Sequence, residues 1–104
     1  MSAFHILIIG DIHSEGKKLL QKKADIKVTT NFEKKYILQE VKDVDAIIIR
    51  GMEATLDKEI ILNAPKLRVI GRHGIGLETI GLEAAKRSNV QVVYFIPLWQ
   101  VVNQ

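Results

Sequence analysis

The chain is 104 residues long, 47% hydrophobic and 26% charged, with 15 basic and 12 acidic side chains giving a net charge of +3. That length makes one domain and lets about two-thirds of the unfolded surface be buried, and the composition excludes a disordered chain. So mild a charge, with one Trp, two Tyr and three Phe, also excludes the clustered basic face with interleaved aromatics that a nucleic-acid binder needs.

Met1 to His5 carries no basic cluster, and the apolar run Ile6 to Ile9 is too short for a signal peptide or a membrane span. A soluble, cytoplasmic protein with no membrane contact is expected. Phe4 to Ile9 reads as a strand covered on both faces, because β-branched and aromatic residues follow one another without alternation. Gly10 to His13 turns the chain, and Ser14 caps a helix to about Lys23. Ile26 to Thr29 is a second strand. Thr30 or Asn31 caps the next helix, with Glu33 completing a capping box to Thr30, and Ile37, Leu38 and Val41 form its apolar face. Ala46 to Ile49 is a third strand, wholly apolar. Thr55 opens a helix through about Asn63 that Pro65 stops. Leu67 to Ile70, Leu82 to Arg87 and Val90 to Val93 are a strand, a short helix and a fifth strand. Strands alternating with helices through short turns predict an α/β fold, a flavodoxin-like parallel five-stranded sheet with helices on both faces. Its ligand crevice lies at the carboxyl ends of the strands. From Ser88 to Gln104 there is no charged residue. The apolar tail either packs on its own domain or forms a contact surface, and a homodimer through residues 94–102 is the expectation carried forward.

Gly74-Ile75-Gly76 follows the fourth strand, but a G-x-G-x-x-G fingerprint needs glycine where Thr79 stands and an acid about twenty residues later. No Asp or Glu follows Glu83, so no dinucleotide site is expected here. The reading preferred is a tight turn whose backbone N–H groups face an anion, with Arg72 before it and Arg50 at the end of the third strand flanking one crevice. Asp11, His13 and Glu15 are explained by turn and helix-start chemistry, with no matching ligand cluster for a metal. Ser14 and Ser88 lack an activating context, and His73 is more simply a solvated loop residue than an acid–base catalyst. With no cysteine, a disulfide scaffold, a zinc-thiolate site and a thiol nucleophile are excluded together. A phospho-acceptor receiver domain shares the strand alternation, but it needs paired acids after the first strand and an aspartate ending the third. This chain has a single Asp11 and Arg50 there, which inverts the charge that would hold Mg²⁺.

Asp45-Ala46-Ile47-Ile48-Ile49-Arg50, and then Leu56 onward to Ala64-Pro65-Lys66-Leu67-Arg68-Val69-Ile70-Gly71-Arg72-His73-Gly74-Ile75-Gly76, closely resembles the D-2-hydroxyacid dehydrogenases, nearest their phosphoglycerate dehydrogenase branch. Ile12-His13-Ser14-Glu15-Gly16 before a Leu-Leu pair, and Leu82-Glu83-Ala84-Ala85 before a Val-Val strand, are similar too, and the likeness spans roughly residues 4–93. The resemblance implies the amino-terminal, substrate-side domain of an NAD-dependent oxidoreductase acting on a small 2-hydroxy or 2-oxo acid. It implies substrate contacts from Arg50, Gly51, His73, Gly74, Ile75 and Gly76, with loop N–H groups holding the carboxylate and little pH dependence near neutrality.

Two departures from the family pattern stand out. Glu78-Thr79 replaces its Asp-Asn after the glycine loop, and Val93-Tyr94-Phe95-Ile96-Pro97-Leu98 replaces its Val-Asn-x-Pro crossing. The expected organisation is a substrate-side domain over residues 1–93 and a tail, 94–104, where the crossing to a missing NAD-binding domain begins. On that reading the chain holds no cofactor and no catalytic residue, NAD belongs to the complete enzyme, and activity of the chain alone is left open. The alternative is a non-catalytic anion-binding or interaction module derived from such an enzyme.

Overall fold

Every neighbouring pair of strands runs parallel, so no hairpin joins any two of them, and each connection must cross over a face of the sheet. The computed structural model describes residues 4–10, 14–50, 55–73 and 80–95. In chain order these form β1 (His5–Ile9), α1 (Ser14–Gln21), β2 (Asp25–Thr29), α2 (Lys34–Glu40), a 3-10 turn (Val41–Asp43), β3 (Ala46–Arg50), α3 (Lys58–Leu62), β4 (Val69–His73), α4 (Leu82–Arg87) and β5 (Gln91–Phe95). The strand order is β2-β1-β3-β4-β5, the flavodoxin-like order the alternating pattern predicts.

That order dictates where the helices go. The step from β1 to β2 moves one way along the sheet and the three later steps move the other way. Right-handed crossovers then put α1 on one face and α2, α3 and α4 on the opposite face. The core divides accordingly. Leu7, Ile9, Ile47, Ile49 and Ile70 pack with Ile37, Ile60, Ile61, Ala84 and Ala85 on the three-helix face. Ile6, Ile8 and Ala46 pack with Leu20, Ile26, Ile48 and Val69 on the other. Because β1 and β3 are central and covered on both sides, their side chains stay apolar at successive positions, and each fully buried Ile or Leu contributes about 1.5–3 kcal/mol.

Several element bounds differ from the sequence expectation, each for a local reason. Between β2 and α2 neither Thr30 nor Asn31 caps the helix. The Thr29 hydroxyl accepts from the Asn31 N–H, and the Asn31 side chain accepts from the Glu33 N–H, both at 3.0 Å. These two side-chain turns carry the chain to Glu33, which precedes the first helical residue without a side-chain cap. In α3 the cap is Asp57, not Thr55: its carboxylate accepts from the Ile60 N–H at 3.1 Å, while Leu56 is held extended by a bridge to Ile80. Strand β4 starts at Val69, since the Leu67 N–H bonds to the Ala64 carbonyl in the turn after α3, and it runs on through Gly71, Arg72 and His73. Strand β5 starts one residue late because Asn89, at φ 59°, ends α4 and the Val90 N–H turns back to the Ala85 carbonyl. It then continues to Phe95, so the first two residues of the apolar tail belong to the sheet. Residues 96–102 of the expected contact stretch lie outside the described residues. No helix among the described residues is long and apolar enough to cross a membrane.

Candidate functional site

Parallel strands all end on the same side, and the side chains and N–H groups that follow them converge there. At this carboxyl border stand Gly10 after β1, Thr29 ending β2, Arg50 ending β3 and His73 ending β4. Gly10 has φ +82°, and its N–H donates to the Thr29 carbonyl at 2.9 Å. A methyl group at Gly10 would lie 2.8 Å from the Arg50 carbonyl oxygen. A side chain there is therefore disfavoured both by backbone conformation and by space. The glycine lets the β1 turn press against the residue that ends β3.

Arg50 and His73 are in register as partners on β3 and β4. In a parallel pair such residues lie side by side, so the structure brings together the two described members of the predicted set. Arg50 is exposed. Gly51, Gly74, Ile75 and Gly76 lie outside the described residues, and so do Asp11, His13 and Glu78.

Arg72 departs from expectation. Rather than flanking a crevice beside Arg50, it sits inside β4 with 3% of its surface exposed. Two residues after core-facing Ile70, in register with Ile49 on β3 and Tyr94 on β5, it turns toward the three-helix face. Strand alternation decides this: Arg72 shares a face with Ile70, and Gly71 takes the other. Only one of the two arginines reaches the carboxyl border as a surface group.

The structure adds a feature the sequence did not disclose. Leu56 and Ile80 form a parallel bridge, and the Gly81 N–H donates to the Leu56 carbonyl at 2.7 Å. The connection leaving β3 and the one leaving β4 are thus tied together where α3 and α4 begin. A charge cluster braces the same region: the Lys34 ammonium of α2 lies 2.8 Å from Asp57 and 2.6 Å from Glu59. The Lys34 ammonium, with the Ile60 and Glu59 N–H groups, holds the Asp57 carboxyl below its ordinary range. Both loops that lead away from Arg50 and His73 are therefore anchored at their far ends. No sequence signal marks a single bridge between two loops, and the sequence reading opened the helix at Thr55 where the structure caps it with Asp57.

Among the described residues no group of three or more His, Cys, Asp or Glu could hold a metal ion. Thr79 occupies the third glycine position of a dinucleotide fingerprint, and the first described helix after it, α4, begins at Leu82. What the described border presents is one exposed guanidinium, Arg50, at the end of β3.

The family profile described as D-isomer specific 2-hydroxyacid dehydrogenase, catalytic domain, matches residues 6–96. Among curated relatives, the D-3-phosphoglycerate dehydrogenase of Methanocaldococcus jannaschii is 36% identical over 89 residues, which is 85% of this chain and 17% of that protein. The glyoxylate reductase of Pyrococcus horikoshii is 30% identical over 90 residues, 84% of this chain and 27% of that one. Among solved structures, the NAD+-bound 3-phosphoglycerate dehydrogenase of Entamoeba histolytica superposes with a TM-score of 0.77 at 23% identity. That match covers 89% of this chain and 33% of that one, and it is a likeness of fold. The chain thus spans about a sixth to a quarter of the curated relatives it matches.

Proposed function

The chain belongs to the D-isomer specific 2-hydroxyacid dehydrogenases, matching their catalytic domain, and from that premise we propose that it forms the substrate side of a phosphoglycerate dehydrogenase-like, NAD-dependent oxidoreductase. Residues 1–95 make that domain, its last strand ending at Phe95, and the stretch after β5 begins the crossing to a separate NAD-binding domain. The substrate is a small 2-hydroxy or 2-oxo acid, and the enzyme is cytoplasmic.

The observation that carries this reading is the side-by-side placement of Arg50 and His73 at the carboxyl ends of two neighbouring strands. Gly51 follows the first directly and Gly74-Ile75-Gly76 the second. In this scheme the turn N–H groups donate to the substrate carboxylate and Arg50 adds a directional charge. Their task is positioning: they hold the acid so that its C2 faces the cofactor, which is worth more to the rate than any proton transfer they could supply. NAD, held by the other domain, exchanges the hydride.

Half a cleft cannot bury its ligand, so 3-phosphoglycerate binds this chain with a dissociation constant of about 1 mM, roughly 4 kcal/mol. Amide shift changes on titration centre on Gly51 and on Gly74 to Gly76, and Arg50→Ala weakens binding several-fold. Changes scattered over the surface, or none at tens of millimolar, sink the proposal. Calorimetry with NADH serves as the companion measurement: one-to-one micromolar binding to this chain contradicts the division of labour.

A further inference from the structure

The last rung of the ladder between β3 and β4 is Arg50 opposite His73. The two segments then part, and they meet once more at the parallel bridge between Leu56 and Ile80. The sequence offset between partners is one residue larger at the bridge than at Arg50 and His73. The β4 side therefore inserts one residue more than the β3 side, and the ladder resumes after an interruption. Gly51 and Gly74-Ile75-Gly76 fall within it, on connections fastened at both ends.

This second rung is built alike on its two sides. Each bridge residue stands two positions ahead of a helix, Leu56 before α3 at Lys58 and Ile80 before α4 at Leu82, and each is buried in the three-helix core. One cap residue lies between, Asp57 in the first case and Gly81 in the second. Asp57 caps with its carboxylate. Gly81 has no side chain to do so, although Ser, Thr, Asp or Asn would start α4 more favourably. Its φ of −75° and ψ of 83° are open to any residue, so backbone conformation does not call for glycine there.

Space does. The Gly81 N–H donates to the Leu56 carbonyl at 2.7 Å. A Cβ at Gly81 would lie 3.3 Å from the Lys58 nitrogen, and 3.4 Å from both the Leu56 oxygen and the Asp57 carbonyl carbon. These are shorter than the separation of about 3.5–4.0 Å at which such atoms pack without strain, and all three belong to backbone. A larger side chain pushes the two connections apart.

We infer that Gly81 is a positioning residue of the anion site. By admitting the second rung it fixes the separation of the connections that leave Arg50 and His73, and with it the fit of a small acid. This rests on the substrate-side reading above and names the residue on which that site's geometry depends. Fastening both connections at both ends removes conformational freedom before a ligand arrives, so less entropy is lost on binding. On the β3 side the anchor is also braced to α2, through Lys34 against Asp57 and Glu59.

The test follows amide shifts of the full chain titrated with 3-phosphoglycerate. Gly81→Val crowds the backbone of Leu56 to Lys58 and raises the dissociation constant about tenfold. Asp45→Ala, which removes the bond to the His5 N–H at the amino end of the sheet, leaves it unchanged. If Gly81 mattered only to stability, both variants would bind alike once folded. A second variant carries Leu56→Cys and Ile80→Cys together in a chain that otherwise has no cysteine. Neighbouring strands lie about 4.8 Å apart, within the Cα spacing a disulfide accepts, about 4.4–6.8 Å. Reduced, the pair binds about tenfold more weakly than wild type; oxidised, it returns to within about twofold, because the covalent bond replaces the rung. If the reduced pair does not fold, the oxidised form alone is compared with Gly81→Val. A responding wild type whose dissociation constant Gly81→Val changes by less than about twofold overturns this inference and spares the site. An oxidised pair that binds no better than Gly81→Val does the same, and so does a pair that will not oxidise. A wild type without any response overturns the site, and this inference with it.

Discussion

The amino and carboxyl ends of the sheet are built on opposite principles. At the amino end a continuous row of hydrogen bonds crosses all five strands. The Asp25 N–H donates to Phe4, the Asp45 N–H to His5, the Arg68 N–H to Asp45 and the Gln91 N–H to Arg68, each at 2.8–2.9 Å. The Asp45 carboxylate adds a bond from the His5 N–H at 2.8 Å. At the carboxyl end the described frame rests on the close approach of Gly10 to Arg50 and on the distant Leu56–Ile80 bridge. Backbone groups are consumed at the amino end, and the proposed anion site lies at the other. A positioning domain needs both, since an anion cradle is only as accurate as the frame behind it.

The sharpest way to break this contrast is at Gly10. Gly10→Ala forces a left-handed conformation on a residue with a side chain and pushes its methyl into the Arg50 carbonyl. The expected cost is about 2–4 kcal/mol in chemical denaturation, together with loss of the amide shifts that 3-phosphoglycerate produces. If stability falls while the ligand response persists, Arg50 is not held by the β1 turn. Asp45→Ala acts at the far end. It strips one bond from a partly buried N–H and should cost about 1–2 kcal/mol, with ligand titration unchanged. A change in binding there erases the proposed separation of the two ends.

The smallest effect concerns the brace beneath the loops. Asp57→Ala removes the α3 cap and costs about 1 kcal/mol, whereas Asp57→Asn keeps the cap and loses only the ion pair. The sign of the pH dependence follows from the shifts. Asp57 is held below its ordinary value of 3.8, chiefly by the Lys34 ammonium beside it, so its contribution is complete above that value and is lost as pH falls through and below it. Lys34 is held above its ordinary 10.5, chiefly by Asp57, so its share is complete below 10.5 and is lost as pH rises beyond it. Wild type and Asp57→Asn should therefore differ in denaturation midpoint near neutrality and converge in acid. A difference that persists at pH 2 contradicts the assignment.

The fold was legible because burial on both faces writes itself into sequence. Ile6 to Ile9 and Ala46 to Ile49 are uninterrupted apolar runs, and their alternation with helices leaves few topologies. Legibility failed where tertiary pairing outweighs local preference. Gly71, Arg72 and His73 are poor strand formers, yet β3 and β5 on either side hold them in β4. Arg72 reads as a surface group because arginine usually is one, and only the strand's extension by three residues turns it inward. At the site, Arg50 could be placed from its position ending a buried strand. The Leu56–Ile80 bridge could not, since it joins two loops far apart in sequence and depends on no residue type.

The strand order also sets a timetable for a chain emerging from the ribosome. Once β1 and β2 have met, every later strand joins the same advancing border, β3 beside β1, then β4, then β5. Each addition waits for a crossover to close and for a helix to cover the face, so growth is slow relative to a sheet of hairpins. Until β4 arrives, the border is Ala46-Ile47-Ile48-Ile49, bare of charge. The hazardous species in synthesis is therefore the half-built sheet more than the unfolded chain, and the cell's chaperones would meet this protein at its isoleucines.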